Sequence, residues 1–416
     1  MVEIKSEIVI IGGGVSSIGA VLTLLETEKR ISVVKGSPGF SYLSRGSFPF
    51  IDRIDNEENT IDILHRQLRG ILEKDEIASA LRTFSYFIPM YQLSEDSPFM
   101  IPDFFGNIEA CPLKPIQKLN LAGVKPGERV AVVDMWGLVF FKAPYIADRL
   151  SNLFRDIKFV PVRIDFFRRR SDPLMKLIEL ARLLEAKDAF ERFFFTLKEG
   201  LKKYGGDFSK IVLPPILGVE NWREPIEKLK SRFEIEVGEA QSPDGEIESI
   251  RLETELNKNI WDKVELIEGM VKEIKPEENV IKCVILEDDT VIEGEKFILA
   301  TGNILGGGIK IEDGRIKESL LNLDLNISER EGYHFKFNDT TLWNESFFST
   351  HPVFNIGVRA DREFKPLRGG RKAFHNLWVT GSLLHLRLRR RPSLTLDYLL
   401  GWKVGNIVKK SYERSD

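Results

Sequence analysis

Apolar residues along this chain fall into two recurring patterns, short unbroken runs and stripes spaced three and four apart. The first run, Ile8-Val-Ile-Ile11, does not alternate with polar residues and reads as a strand buried on both faces, the state of a central parallel strand. Gly12, Gly13 and Gly14 follow and force a tight turn, after which Val15, Ile18, Val21, Leu22 and Leu25 recur at helical spacing. Strand, glycine turn and helix together form the opening unit of a dinucleotide-binding fold, with the helix N-terminus ready to take a pyrophosphate. The G-x-G-x-x-G pattern is incomplete, because its third glycine is Ser17. A glycine-rich turn can be a plain loop, but its place between a clear strand and a clear helix favours the nucleotide reading. Gly12, Gly13, Gly14, Ser16 and Ser17 are therefore candidate cofactor contacts.

The alternation continues. Residues 31–35 read as a second parallel strand ending in Lys35, where the fold usually places the Asp or Glu that holds a ribose. Lys35 would sit near a phosphate or be solvated; both readings stand. The glycine- and hydroxyl-rich loop 36–47 offers Ser44, Arg45, Gly46 and Ser47 to a diphosphate, or is an ordinary polar loop. Residues 58–94 read as two helices, and the Pro- and aromatic-rich 97–115 as strands and loops. Strands at 129–134, 157–164 and 210–214 alternate with helices at 143–150, 172–204 and 220–232, which predicts a second α/β layer over about 125–235. The runs at 250–256, 264–267, 280–286 and 291–292 read as a β-rich stretch with a hairpin turn at Asp288-Asp289. A buried strand at 296–302 closes on Ala300-Thr301-Gly302, and 376–382 repeats the pattern through Thr380-Gly381-Ser382. A last amphipathic helix runs from Leu394 past Ile407. The expected fold class is α/β: a Rossmann-like FAD/NAD(P)-binding domain with a discontinuous parallel sheet (1–55, 236–310 and 350–416), an inserted α/β domain (56–235) and a connecting cap (311–349).

Composition narrows this picture. With 416 residues, 43% apolar and 30% charged, the chain can bury a large core, and a net charge of −3 gives no reason to expect nucleic acid. The numerous Lys, Arg, Glu and Asp residues suit an ion-pair-rich surface, a compositional trait thermophile proteins share. Two cysteines, Cys111 and Cys283, cannot build a four-thiolate zinc or iron–sulfur site. His65, His334, His375 and His385 show no metal spacing, and the nucleophile-elbow and His-Glu-x-x-His patterns are absent. The chain opens on a strand and its best apolar stretch, 130–141, is broken by Asp134 and Gly137, so the expectation is a cytoplasmic protein without a direct membrane span.

Three glycine-tipped strands, near residues 12, 300 and 380, resemble the FAD domain of two-domain flavoprotein oxidoreductases, in which strands end without a side chain where backbone meets a large planar cofactor. A narrower set of pieces recurs in order along the chain: Ile10-Ile-Gly-Gly-Gly14, Leu43-Ser-Arg-Gly-Ser47, Val132-Val-Asp-Met-Trp-Gly-Leu138, Glu179-Leu-Ala-Arg-Leu-Leu184, Leu213-Pro-Pro-Ile-Leu-Gly218, Ile250-Arg-Leu-Glu-Thr-Glu-Leu256, Ala300-Thr-Gly-Asn-Ile-Leu-Gly-Gly-Gly308, Phe354-Asn-Ile-Gly-Val-Arg-Ala-Asp361 with Lys365-Pro366, and Asn376-Leu-Trp-Val-Thr-Gly-Ser382. In the order and spacing of these pieces the chain resembles, over most of its length, the B subunit of anaerobic glycerol-3-phosphate dehydrogenase. The resemblance implies a complex that oxidises sn-glycerol 3-phosphate, its small-molecule substrate, to dihydroxyacetone phosphate and passes electrons toward quinone. It implies FAD (alternatively FMN) in this subunit. The partners would be an A-type catalytic flavoprotein subunit and an iron–sulfur membrane-anchor subunit, through which the chain would lie at the inner face of the membrane. Thr301, Gly302, Gly381 and Ser382 become candidate flavin contacts. Oxidising an alcohol needs a base and cationic anchors; His351 is the candidate base, or a structural histidine, and Arg359 and Arg362 are candidate anchors, or salt-bridge partners. One departure from the family lies at 383–397, which is glycine-free and carries Arg387, Arg389, Arg390 and Arg391. These arginines would meet phosphates or an acidic partner, or mark a subunit that keeps the fold as a non-catalytic or electron-relay member. A stand-alone FAD oxidoreductase acting on another substrate is a further reading.

Overall fold

A computed structural model describes residues 2–36, 45–51, 59–138, 140–166, 175–243, 245–312, 315–326, 356–386 and 393–413. The chain enters on β1 (Glu3–Ile11), whose second half is buried, turns through the glycines into α1 (Val15–Leu24) and returns on β2 (Ile31–Lys35). Helices α2 (Thr60–Leu68) and α3 (Lys74–Phe87) follow, then two short hairpins, Tyr91–Leu93 with Leu113–Pro115 and Phe99–Pro102 with Ile108–Cys111. In the aromatic-rich stretch, Phe104 is buried and Phe105 is exposed.

A second α/β unit is next: β3 (Arg129–Met135), α4 (Ala143–Leu153), β4 (Lys158–Ile164), α5 (Leu177–Leu183), α6 (Lys187–Lys203), β5 (Lys210–Leu213), α7 (Arg223–Phe233) and β6 (Glu236–Glu239). These strands pair in parallel in the order β6-β5-β3-β4. The last of them, β6, lies past the residue 235 boundary expected for the inserted unit.

The chain then returns through α8 (Glu246–Asn259) to the first sheet, adding β7 (Glu265–Glu268), β8 (Val271–Glu277), β9 (Val280–Leu286), β10 (Val291–Leu299) and, after a long excursion, β11 (Leu377–Val379), before closing on α9 (Leu394–Glu413). This sheet runs β7-β2-β1-β10-β9-β8, with β11 beside the C-terminal half of β10. The pairs β7–β2, β2–β1, β1–β10 and β10–β11 are parallel, and β8 and β9 form an antiparallel flap. The turn expected at Asp288-Asp289 joins β9 to β10, with Asp289 at φ 63°.

One expectation is corrected. Residues 250–256 belong to the helix α8, not to a strand. Ile-Arg-Leu-Glu-Thr-Glu-Leu satisfies an alternating pattern, but the buried residues are Ile247, Glu248, Ser249, Arg251, Leu252, Glu255 and Leu256, which recur at helical spacing. The alternation hid a helix that buries charged side chains.

The helices α1 and α9 pack so closely that a Cβ on Gly401 would collide with the Ser16 carbonyl. The expected glycine-poor C-terminal segment thus spends its first glycine on helix contact. The Tyr398 hydroxyl donates to Ala80 O at 2.6 Å, its ring packs on Phe84, and Lys403 pairs with Glu76 at 2.6 Å, so α9 also binds α3. Partial burial raises the Glu76 carboxyl pKa, but the Lys403 hydrogen bond and the Glu73 backbone N–H outweigh it, and the net direction is downward. A folded-state pKa below the unfolded one contributes stability that is present above the carboxylate range and lost as pH falls through the folded value. The urea-midpoint difference between the wild-type protein and Glu76→Gln should therefore be measurable at neutral pH and vanish in acid; a difference unchanged by acid would refute the ion-pair origin.

Candidate functional site

The carboxyl ends of β2, β1, β10 and β11 converge on one cavity of about 510 Å³. Ligands in open α/β sheets bind at such ends, where neighbouring crossovers leave in opposite directions. The first wall is the glycine turn. Gly12 continues the strand by donating to Val34 O at 2.8 Å but holds φ +124°, and a Cβ there would collide with the Ala300 carbonyl. Gly14 is the N-cap of α1 and brings no capping side chain, and the first turn of α1 carries no acid. An uncapped, acid-free helix end facing a cavity favours an anion. Ser17, in the third glycine position, is fully buried and its Oγ donates to Gly12 O at 2.6 Å, so the hydroxyl braces the turn that a glycine would otherwise leave loose.

The second wall is 300–308. Gly302 lies at φ +80°, the Gly306 and Gly308 N–H groups both donate to Asn303 O at 3.1 Å, and the loop folds back so tightly that a Cβ on Gly306 would lie 2.8 Å from Thr301 O. Thr301 Oγ1 is buried and has no hydrogen-bond partner among the described residues, as is Thr380 Oγ1 at the end of β11. Ser382, the first turn of α9 with Leu394 and Asp397, and Lys310, Ser319 and Leu320, in and just after the hairpin of Ile309–Glu312 with Arg315–Glu318, complete this side. Glu318 supports the hairpin base: burial raises its carboxyl pKa while the Leu320, Leu321 and Leu323 N–H groups donate to it. At the β2 end the wall is Val34, Gly36, Gly269, Met270, Val271, Lys272 and Glu287. Lys272 pairs with Asp289 at 2.8 Å, a hydrogen bond that raises its pKa.

The cavity brings together some of the candidates named from the sequence and not others. Gly12, Gly13, Gly14, Ser16, Thr301, Gly302 and Ser382 all line this cavity, while Ser17 and Gly381 stand directly behind it, a Cβ on Gly381 lying 2.7 Å from Ser16 Cβ. Lys35 is engaged elsewhere. Its stem packs over Gly13 and its Nζ pairs with Glu253 of α8 at 2.5 Å, a role between the phosphate and solvent readings. Arg45, Gly46 and Ser47 are outside the lining, at the seam with the second α/β unit: Arg45 stands 4.0 Å from Asp103, Gly46 O accepts from the Tyr91 hydroxyl at 2.5 Å, and Ser47 bonds Glu109 and, at 2.6 Å, Gln241. Arg359 is exposed and its N–H donates to Asp324 O at 2.8 Å. Ser44, His351 and the arginines at 387–391 lie outside the described residues. Sequence reading missed Met270, Lys272, Glu287, Lys310 and Asp397, because residues in hairpins, strand connections and first helical turns carry no periodic signal that marks a site. Among the described residues no cluster of three His, Cys, Asp or Glu side chains could hold a metal ion, and no helix is long and apolar enough to cross a membrane.

Residues 241–341 match the family described as glucose inhibited division protein A. The B subunit of anaerobic glycerol-3-phosphate dehydrogenase from Actinobacillus pleuropneumoniae is 22% identical, over 91% of this chain and 92% of that protein. The protein of the same name from Vibrio cholerae is 20% identical, over 91% and 90%. Among solved structures, E. coli quinol fumarate reductase FrdA aligns with all of this chain and 72% of its own, at 8% identity and a TM-score of 0.43. Along nine-tenths of its length the chain is thus a distant relative of the B subunits of anaerobic glycerol-3-phosphate dehydrogenase.

Proposed function

We propose that the chain binds FAD in the cavity between Gly12 and Ser382 and serves as a flavin subunit of a complex that oxidises sn-glycerol 3-phosphate to dihydroxyacetone phosphate, with electrons leaving toward quinone. The observation that carries this reading is the convergence of the β1, β10 and β11 tips on one cavity whose walls suit the group. Gly12, Gly13 and Gly14 leave room for a pyrophosphate against the α1 N-terminus, and the buried Thr301 Oγ1 is a donor and acceptor still to be matched. A volume of about 510 Å³ lies within the range of cofactor sites. When bound, a flavin supplies the acceptor for the hydride that leaves the alcohol carbon. The chain's own contribution would be to hold and orient it: the glycine turn would meet the phosphates, Thr301 and Ser382 would offer hydroxyls at the strand ends, and the loop 300–308 would wall the site. His351 stays the proposed proton acceptor and Arg359 a proposed anchor for the substrate phosphate, on the sequence alone. The B-subunit names of the relatives support assembly with an A-type flavoprotein subunit and an iron–sulfur subunit.

The direct test is anaerobic mixing of FAD-reconstituted protein with sn-glycerol 3-phosphate, alone and with an A-type partner. Bleaching of the flavin by substrate with this chain alone is the expected result. Bleaching only with the A-type partner present would assign this chain an electron-relay role, and no bleaching in either arm would overturn the substrate assignment.

A further inference from the structure

In the dinucleotide fold the adenosine ribose is held by an acid at the end of the second strand. That position is Lys35 here, an ammonium with donors only and no lone pair to accept a hydroxyl. Glu253 holds Lys35 Nζ at 2.5 Å, and the lysine stem lies against the glycine turn, so the lysine is committed to α8. The acid arrives from another element. The Gly269 N–H donates to Lys35 O at 3.1 Å, which pins the end of β7 to the end of β2. A Cβ on Gly36, the residue after β2, would lie 2.7 Å from Met270 Sδ, and the Glu287 N–H donates to Met270 O at 3.0 Å. This chain of short contacts carries Glu287, at the turn between β9 and β10, to the space just beyond the end of β2, where it lines the cavity. A cation of the same wall, Lys272, has its Nζ on Asp289 at 2.8 Å.

We propose that Glu287 is the acceptor for the ribose diol of an adenosine-containing cofactor, taking over from the strand-end acid that Lys35 has replaced. This rests on the reading of the cavity as a dinucleotide site. It makes the flap turn a determinant of ligand choice: the carboxylate favours a free 2′,3′-diol, repels a 2′-phosphate, and gives FAD a contact that FMN, which lacks the adenosine ribose, does not make.

Calorimetric titration of the full chain with ADP and 2′-deoxy-ADP tests it, with FAD titrated in parallel by fluorescence. Wild-type protein is expected to bind ADP about tenfold or more tightly than 2′-deoxy-ADP, the weight of one hydrogen bond to a charged group. In Glu287→Ala, ADP should weaken by a similar factor and the two nucleotides should bind alike. The wild-type comparison needs no variant, and Glu287 is exposed, so a folding defect would not mask the result. If FAD and ADP bind wild type but the 2′-hydroxyl makes no difference, or if Glu287→Ala keeps the discrimination, the ribose assignment fails while the dinucleotide site stands. If neither FAD nor ADP binds, both fall.

Discussion

Gly12→Ala is expected to abolish cofactor retention and to destabilise the fold. The residue sits at φ +124°, a conformation that costs an L-residue about 1–3 kcal/mol even where space is free. Space is not free. The new methyl would run into the Ala300 carbonyl, backbone of the neighbouring strand end, which accommodates badly because Ala300 N–H is tied to Ile11 O at 2.8 Å. The strain must be relieved by parting β1 from β10 at the point where both open on the cavity, so stability and ligand binding fall together. Urea unfolding and FAD titration measure the two losses. Gly70→Ala is the natural control: φ +81° strains it too, but nothing lies within 4 Å of the new methyl. It should lose stability and keep the ligand. A Gly12→Ala protein that binds FAD as wild type does would show that the turn is not the cofactor cradle.

The second large effect is expected at the seam between the two α/β units. Arg251 of α8 is fully buried, pairs with the equally buried Glu239 at the end of β6 at 2.6 Å, and donates to Gly218 O at 2.9 Å through Nε. Glu239 in turn accepts from the Leu217 N–H at 2.8 Å. A neighbouring pair, Lys118 with Glu248 of the same helix, is also buried. Removing one partner of such a pair leaves an uncompensated charge in a low-dielectric site, which typically costs about 3–5 kcal/mol, whereas replacing both by apolar groups of similar volume is often near neutral. Arg251→Met should therefore lower the guanidinium midpoint sharply, and adding Glu239→Leu should recover part of the loss even though it deletes a second native group. Equal and additive losses would mean that the charges act independently and do not lock α8 to the second unit.

The parts of this molecule legible in its sequence are those in which one physical demand dominates. Buried parallel strands need unbroken apolar runs, and Ile8–Ile11 and the run closing on Ala300 read directly as such; Gly12–Gly14 and Gly302 could be singled out because a strand end without a side chain leaves space beside its backbone, and these glycines do line the cavity. Where two demands coincide, the reading fails. Residues 250–256 alternate as a strand does, yet they form a helix because Glu248, Arg251 and Glu255 are buried against charges 130, 12 and 32 residues away in sequence. Proximity along the chain misleads in the same way: Arg45, Gly46 and Ser47 follow β2 closely, but their hydroxyl and carbonyl groups are taken by Glu109, Gln241 and Tyr91 at the seam. Lys35 looked anomalous as a ribose ligand because its partner, Glu253, lies 218 residues on. The acid that stands near its place, Glu287, sits in a polar turn that no periodicity marks.

Under the proposed function this chain itself holds a flavin in the cavity between Gly12 and Ser382. The most direct measurement is the visible absorption spectrum of the protein after incubation with FAD and removal of free flavin by gel filtration. A stoichiometric flavin spectrum is expected to co-elute with wild-type protein and to be absent from Gly12→Ala. Wild-type protein that emerges colourless would contradict it.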